Sequence, residues 1–206
     1  MNLHEYIETS ILPQYNNFDK AHSVEHIKSV IKQSLLLSVH YDVNIDMVYT
    51  IAAYHDLGIS HGRKLHHLYS GIILMEDNSL KEFFTESQLF TMKDAIEDHR
   101  ASSEREPRTI YGMIIAEADR QIDPQVCILR TLQFGLENYP DLDKEEQFKR
   151  VKRHLKDKYG EGGYLKLWIP YSNNTLKLRE LRKIISNTST LQRIFDQSWE
   201  ESQIIK

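Results

Sequence analysis

The stretch that decides the fold is IAAYHDLG, residues 51–58, where two metal-binding side chains follow an apolar run. His55 and Asp56 stand side by side, and residues 44–54 form a short, nearly all-apolar segment before them. A helix that is apolar all round is typical of a buried, central element. Because adjacent helical residues point about 100° apart, both side chains reach one cation only at a terminal or distorted turn. Gly58 predicts such a turn.

The chain around this stretch has a helical pattern almost throughout, which predicts an all-α fold. Only five prolines and eight glycines interrupt 206 residues. In the second predicted helix, Val24, Ile27 and Ile31 recur at the spacing of one helix face. Apolar periodicity and turn residues predict helices at about residues 2–16, 22–40, 44–54, 66–76, 86–99, 109–121, 124–138, 144–159, 174–186 and 188–203.

Length and composition predict one ordinary globular domain over residues 1–206, with a helical extension at about 124–206. The net charge of −4 argues against a general nucleic-acid binder, which needs a basic excess. The single cysteine, Cys127, excludes an internal disulfide. No stretch approaches a membrane span, and the first residues lack the basic flank of a signal peptide. We therefore expect a soluble, cytoplasmic protein; its oligomeric state stays open.

Two further candidate ligands lie on either side of the His-Asp pair. His22 and His26 are four residues apart and share a helix face, where one would be a ligand and the other structural or substrate-facing. Asp119 lies in IIAEADRQID, near the end of an apolar helix, with Glu117 and Asp123 as nearby acidic competitors. A carboxylate buried against such a surface needs a partner, and a cation held by neutral imidazoles provides one.

The ordered set of His26 in HIKSV, His55-Asp56 in HDLG and Asp119 in AEAD resembles the HD-domain metal-dependent phosphohydrolase superfamily. The resemblance covers a motif-bearing core at residues 20–122. It implies an HD-domain helical bundle with a metal at its centre, and it selects His26, His55, Asp56 and Asp119 as ligands. It also implies hydrolysis of a phosphate ester or nucleotide by metal-activated water, with Asp56 and His55 as catalytic residues.

The number of metals depends on two more histidines. His67, in HLYSGIILM, precedes Gly71 by four residues, as in the helix that supplies a further histidine in two-metal HD phosphodiesterases. His99, in IEDHR, resembles the next histidine of that set and would complete a binuclear site with Asp56 bridging. His66 adjoins His67 and could take its place. A different interpretation is one metal, with His67 and His99 contacting substrate phosphate.

Basic residues beside these ligands are candidates for binding substrate. Arg63 and Lys64 follow the His-Asp pair, and Arg100 follows His99. Arginine suits bidentate contact with phosphate. Each could equally be a solvated surface charge. The expected partner is a small phosphate-containing substrate, with a nucleotide among the candidates.

The expected cofactor is one or two divalent metal ions per chain: manganese, zinc, magnesium, nickel, cobalt or iron. Two more functions fit the same residues. One is an HD-type di-iron oxygenase, because imidazole-rich sites also accept iron. The second is a non-catalytic, metal-stabilised module that binds a ligand.

A basic run and a glycine cluster lie beyond the core. The run contains Lys152, Arg153, His154, Lys156 and Lys158, and such a run is most often a solvated helix face. The cluster YGEGGYLKLW, residues 159–168, predicts a helix end followed by aromatic packing, although a loop that closes over a ligand would have the same composition.

Overall fold

A computed structural model describes residues 1–18, 22–103 and 105–204, apart from the side chain of residue 204. Within these ranges the protein has ten α-helices and no β-strand, which confirms the all-α prediction. The helices are α1 (Leu3–Tyr6), α2 (Val24–Ser38), α3 (Ile45–Tyr54), α4 (His66–Glu76), α5 (Glu86–Asp98), α6 (Ile110–Asp119), α7 (Pro124–Asn138), α8 (Lys144–Tyr159), α9 (Asn174–Ser186) and α10 (Thr188–Ile204). The predicted start of the motif-bearing core, residue 20, lies outside the described residues.

The first predicted helix, at residues 2–16, differs from the structure. Only Leu3–Tyr6 is α-helical; Ile7–Ile11 forms a π-helical turn and Leu12–Asn17 a 3₁₀-helix. Pro13 stands at the start of the 3₁₀ segment. Proline has no N–H to donate to the carbonyl four residues earlier, and its ring clashes with that carbonyl. An uninterrupted α-helix is therefore excluded there.

Side-chain caps fix where three of the central helices begin. Ser23 Oγ accepts from the backbone N–H of His26 at the start of α2, at 3.4 Å. Asn44 caps α3 through Met47 N, at 3.2 Å, and Thr109 caps α6 in the same manner. Each cap satisfies an N–H group that has no partner within its helix, so the three helix starts are defined by local chemistry.

The first of two compact units comprises Met1–Arg120 and Trp168–Ser172. Helix α3 lies at its centre, since every residue from Met47 to Tyr54 is buried. Helices α2, α4, α5 and α6 all pack against it. This arrangement confirms the prediction of a central helix and explains why α3 carries so few polar residues.

The segment Trp168–Ser172 joins the first unit through a buried carboxylate on α6. Glu117 is fully buried, and its Oε2 accepts from the backbone N–H groups of Trp168, at 2.8 Å, and Ile169, at 3.4 Å. Hydrogen bonds to an ionised acceptor are stronger than neutral ones. Glu117 therefore ties a distant segment of the chain to α6.

The second compact unit comprises Gln121–Leu167 and Asn173–Lys206 and contains α7 to α10. Its core includes Leu132 on α7, Leu155 on α8 and Phe195 on α10, all fully buried. Helix α8 ends at Tyr159 with Gly160 as its C-cap residue, as the glycine cluster predicts. That the two units form one domain stays a prediction. In the described part of the chain, no helix is both long and apolar enough to cross a membrane.

Candidate metal centre

Six ligand-type side chains of the first unit converge from the ends of five helices. Each lies in the first turn of a helix or within two residues of a helix end, and not in the middle of a helix. They are His26 in the first turn of α2, His55 and Asp56 at the end of α3, His66 at the start of α4, His99 at the end of α5 and Asp119 at the end of α6.

One group of acceptor atoms contains His26, His55 and Asp119, whose ligand atoms all lie within 4.8 Å of one another. His26 Nε2 is 3.2 Å from Asp119 Oδ1, and His55 Nε2 is 3.8 Å from the same oxygen. Asp56 completes the group through Oδ2, which is 3.2 Å from His55 Nε2 and 3.8 Å from His26 Nε2. Two imidazoles and two carboxylates thus face one point.

The second group uses the other oxygen of Asp56. Asp56 Oδ1 lies 3.3 Å from His66 Nε2 and 3.5 Å from His99 Nε2. The two imidazole nitrogens are themselves 3.1 Å apart. The carboxylate of Asp56 therefore joins the two groups, with one oxygen in each.

Backbone carbonyls fix which nitrogen of three histidines is free to bind. The Nδ1 atoms of His55, His66 and His99 each lie next to a carbonyl oxygen three residues earlier in the chain. The carbonyls are those of Ala52, Arg63 and Ile96, at 2.8, 2.8 and 2.6 Å. A carbonyl only accepts, so each Nδ1 carries the proton and donates it. Nε2 is therefore the nitrogen of each ring that is left to bind a cation, and it faces the two groups.

This donor set fits a cation. Lone pairs of His66 Nε2 and His99 Nε2 face each other at 3.1 Å, where two acceptors repel unless a proton or a metal lies between them. His55 Nε2 is buried and has no hydrogen-bond partner among the described residues. Imidazole and carboxylate ligands of this kind suit zinc, iron, nickel and manganese. The residues present can therefore hold the divalent metal that the sequence predicts.

Electrostatics keep both carboxylates ionised. Burial raises the pKa of Asp56, which is 4% exposed, but a positive charge on His55, whose own pKa is raised well above its ordinary value by Asp56 and Asp119, and hydrogen bonds from His66 and His99 bring the pKa of Asp56 well below its ordinary value. Burial likewise raises the pKa of Asp119, and its contacts with His26 and His55 lower it further than burial raises it. Ionised carboxylates are the form that binds a metal.

The turn that carries the His-Asp pair is held against α4. His55, the C-cap residue of α3, still has helical backbone angles, whereas Asp56 has φ −113° and ψ 4°, so the helical conformation ends between the two ligands. Gly58 has no positive φ, contrary to the conformational reason expected for it. Its role is space: a Cβ there would lie 2.2 Å from the carbonyl oxygen of His66 and 2.5 Å from Ser70 N. Gly58 N also donates to Ser70 Oγ, at 2.8 Å.

Replacement of Gly58 by alanine is expected to destabilise the protein by about 3 kcal/mol, because the added methyl meets backbone atoms that cannot move independently. Chemical denaturation with a fluorescence readout measures this change. Gly71→Ala is the matched control: its nearest neighbour, Lys93 Cγ at 3.1 Å, belongs to a flexible side chain. Equal stability of the Gly58 and Gly71 variants would show that α4 does not depend on this close approach.

The structure places His66, and not His67, beside Asp56 and His99. The prediction preferred His67 because Gly71 follows it by four residues. Gly71 instead packs against Lys93 and Glu97 of α5, so it gives no information about a ligand. His67 belongs to neither group of candidate ligands in the described part of the chain. Burial, with the charges of His99 and His66, lowers the pKa of His67 to about 4.

Position also decides among the competing histidines and carboxylates on either side of the His-Asp pair. His26, rather than His22, faces Asp119, although both histidines are largely buried. Glu117 is engaged with the backbone of residues 168 and 169. Asp123 caps α7, where its Oδ1 accepts from the backbone N–H of residue 125 at 3.0 Å. Asp119 is thus the carboxylate of this stretch that faces the histidines.

The three basic candidates for substrate binding lie at the surface near the second group. Arg63 and Lys64 are exposed and belong to the segment that leads into α4. Arg100 Nη1 donates to the carbonyl of Lys64 at 2.7 Å, so this guanidinium fastens that segment to the end of α5. Arg63 is left with its guanidinium exposed to solvent. Contact of any of them with substrate stays a prediction.

Two supporting residues were not found from the sequence. Ser70 accepts from Gly58 N, and Tyr15 donates its hydroxyl to the carbonyl of Ala53, two residues before His55, at 2.8 Å. Ser70 stands four residues after His66, so both share one face of α4. That spacing was the available signal for Ser70. Tyr15 offered no signal, because it looks like any aromatic core residue.

Comparisons with known proteins agree with the geometry. A family model described as HD domain matches residues 23–121, a little under half of the chain. The match begins at the cap of α2 and ends two residues after Asp119, so it includes all six converging side chains. Searches of curated proteins and of solved structures returned no match.

Proposed function

We propose that the protein is a metal-dependent phosphohydrolase that cleaves a phosphate ester or nucleotide, because residues 23–121 match the family model described as HD domain. The observation that carries the proposal is the division of the donor set into two groups joined by Asp56. One of its oxygens lies 3.2 Å from an imidazole nitrogen, and the second lies within 3.5 Å of two such nitrogens. Paired cation sites of this kind act on both the attacking and the leaving oxygen of a displacement at phosphorus.

The residues that would hold the cations follow from the two groups. His26, His55, Asp56 and Asp119 would hold the first, and Asp56, His66 and His99 the second. When bound, a divalent cation supplies an acidified water and neutralises charge on the phosphoryl group. The metal remains open among manganese, zinc, magnesium, nickel, cobalt and iron, because imidazole and carboxylate accept several of them.

The chain's own residues then have separate tasks. Asp56 stays ionised and would hold a cation in each of the two groups. Asp56 and His55 are both buried, so solvent does not reach these two ligands. Asp119 has the more exposed carboxylate, at 24% against 5% for Asp56, and is the acceptor within reach of a proton from water. Arg63 and Lys64 would bind the non-reacting phosphate oxygens. Arg100 would position their segment by its hydrogen bond to Lys64.

Release of phosphate from a panel of phosphate esters and nucleotides tests the proposal. We expect turnover with added manganese or another divalent ion and none after a chelator removes it, since the acidified water depends on the cation. Restoration by metal is the control for chelator damage. Metal binding without hydrolysis of any substrate in the panel would contradict the proposal and favour the non-catalytic, metal-stabilised module.

A di-iron oxygenase is the second candidate, favoured by the four imidazoles among the six converging ligands. Imidazole is a suitable ligand for iron as well as for zinc and nickel, so the types of ligand fit both candidates. The two candidates differ in their need for oxygen. Phosphate release that is equal in air and under anaerobic conditions supports the hydrolase, whereas turnover that needs iron and oxygen together supports the oxygenase.

A further inference from the structure

The second unit contains a strongly basic cavity of about 620 Å³. It is formed by side chains of α8 and α9, by the turn after α8 and by the first residue of α10. Five of its lining residues are cationic and one is acidic. They are Lys152, Lys156, Arg179, Arg182 and Lys183, with Glu161 as the acid. None of them belongs to the candidate metal centre.

Little of this positive charge is balanced within the protein. Lys152 Nζ donates to Thr188 Oγ1 at 2.9 Å, a neutral partner. Arg182 Nε donates to a backbone carbonyl, and Arg182 Nη1 lies 3.6 Å from Glu161 Oε1, on a side chain that is 86% exposed. An ion pair so open to solvent contributes little.

The remaining three cations of the cavity are open to solvent. Lys156, Arg179 and Lys183 are all exposed, and none forms a salt bridge with a residue that the structure describes. Like charges around one concave surface repel one another, and their potential concentrates anions there. The basic run on α8 alone predicts a solvated helix face. The structure differs from that prediction because α9 contributes cations to the same cavity.

The positive lining continues around the glycine turn. A neighbouring cavity of about 390 Å³ shares Arg179 and Arg182 and adds Lys166, Gly162 and Gly163. Gly162 has φ +77°, and apart from Gly162 itself and its two neighbours in the chain, no described residue has an atom within 4 Å of the place that a Cβ of Gly162 would occupy. The turn therefore leaves open space beside the two shared arginines.

We propose that this basic cavity binds a compact polyphosphate group, either free or attached to a nucleoside. Arginine donates to phosphate oxygens through a planar fork and lysine adds point charges, so a ligand with several adjacent phosphates uses both. The volume is that of an ordinary small-molecule site. Among the described residues no aromatic side chain lines the cavity, so recognition rests on the phosphates and not on stacking of a base. The chain as a whole carries −4, so the cavity does not reflect a basic composition.

Isothermal titration of the full-length protein with tripolyphosphate tests this proposal. Lys156→Gln/Arg179→Gln/Lys183→Gln removes the three cations that lack a salt bridge. The expected result is binding weaker by about tenfold, as the loss of three exposed ionic contacts would give. The matched control is Arg153→Gln/Lys177→Gln/Arg193→Gln, which removes three exposed cations of α8, α9 and α10 from outside this cavity and leaves binding within about twofold. Thermal melting of both variants checks the fold, and Arg179→Gln alone serves if the triple variant melts early.

The same titration in Asp56→Asn separates this cavity from the candidate metal centre. Retained tripolyphosphate binding in Asp56→Asn, together with its loss in the cavity variant, supports the proposal. Binding that disappears in Asp56→Asn and persists in the cavity variant would overturn it, as would equal weakening in the cavity and control variants. ATP serves as the second ligand. If ATP binds as tightly as tripolyphosphate or more tightly, the result supports recognition of the phosphates. If neither ATP nor tripolyphosphate binds to the protein, the proposal is overturned.

Discussion

Asp56→Asn is expected to lower phosphate release by on the order of a thousandfold, because bound metal contributes several kcal/mol to the transition state. The carboxylate of Asp56 places one oxygen in each group of ligands. An asparagine keeps one oxygen, carries no charge and presents an N–H group to the other set of lone pairs. Both cation sites are therefore weakened by a substitution that hardly changes side-chain volume. Steady-state phosphate release at saturating metal measures the effect.

The control for this substitution is Asp46→Asn, at a side chain that is 58% exposed and lies at the start of α3. It removes the same charge from the same helix and should leave turnover unchanged. Thermal melting establishes that both variants are folded. Full turnover in a folded Asp56→Asn protein would show that Asp56 does not hold a catalytic metal.

His66→Ala is expected to remove one of two metal equivalents and to lower phosphate release by at least about a hundredfold. Loss of a residue that only hydrogen-bonds to a metal ligand already costs about 10–100-fold, and His66 is itself a proposed ligand. His66 Nε2 lies 3.3 Å from Asp56 Oδ1 and 3.1 Å from His99 Nε2. Without His66, the second group retains only His99 and Asp56 Oδ1, and the Asp56 carboxylate is shared with the first group. Elemental analysis and activity of the same preparation measure both effects.

The neighbouring residue supplies the matched control. His67→Ala changes the same side-chain type on the same turn of α4, and His67 belongs to neither candidate ligand group in the described part of the chain. We expect it to keep both metal equivalents and most of the activity. If His67→Ala loses a metal while His66→Ala does not, the ligand preferred from the sequence is the correct one, and the second group is wrongly assigned.

Most helices were predictable because their signals are local. The predicted span 66–76 coincides with α4, and 124–138 with α7, where Asp123 and Pro124 together begin the helix. The N-terminal span failed for a local reason too, since Pro13 interrupts hydrogen bonding that the apolar pattern alone does not reveal. Attachment of Trp168–Ser172 to the first unit could not be predicted, because it depends on Glu117, more than fifty residues away, accepting from that backbone.

The sequence indicated the kind of candidate site, but it did not identify every residue of that site. The order of His26, His55-Asp56 and Asp119 indicated a metal centre, and the structure brings these four together. The choice between His66 and His67 was not accessible, because adjacent residues of a predicted helix differ only in direction, and direction is set by packing. Gly58 illustrates the same limit: its presence suggested a special backbone conformation, whereas contact with α4 is what requires it.

Metal content per chain, measured by elemental analysis on protein purified without added metal, tests the central claim most directly. The claim is that Asp56 joins two cation sites, one with His26, His55 and Asp119 and one with His66 and His99. It predicts about two equivalents of divalent metal per chain, as in other two-metal hydrolytic sites. One equivalent that persists on saturation with added metal would contradict the second site, and no bound metal would contradict both.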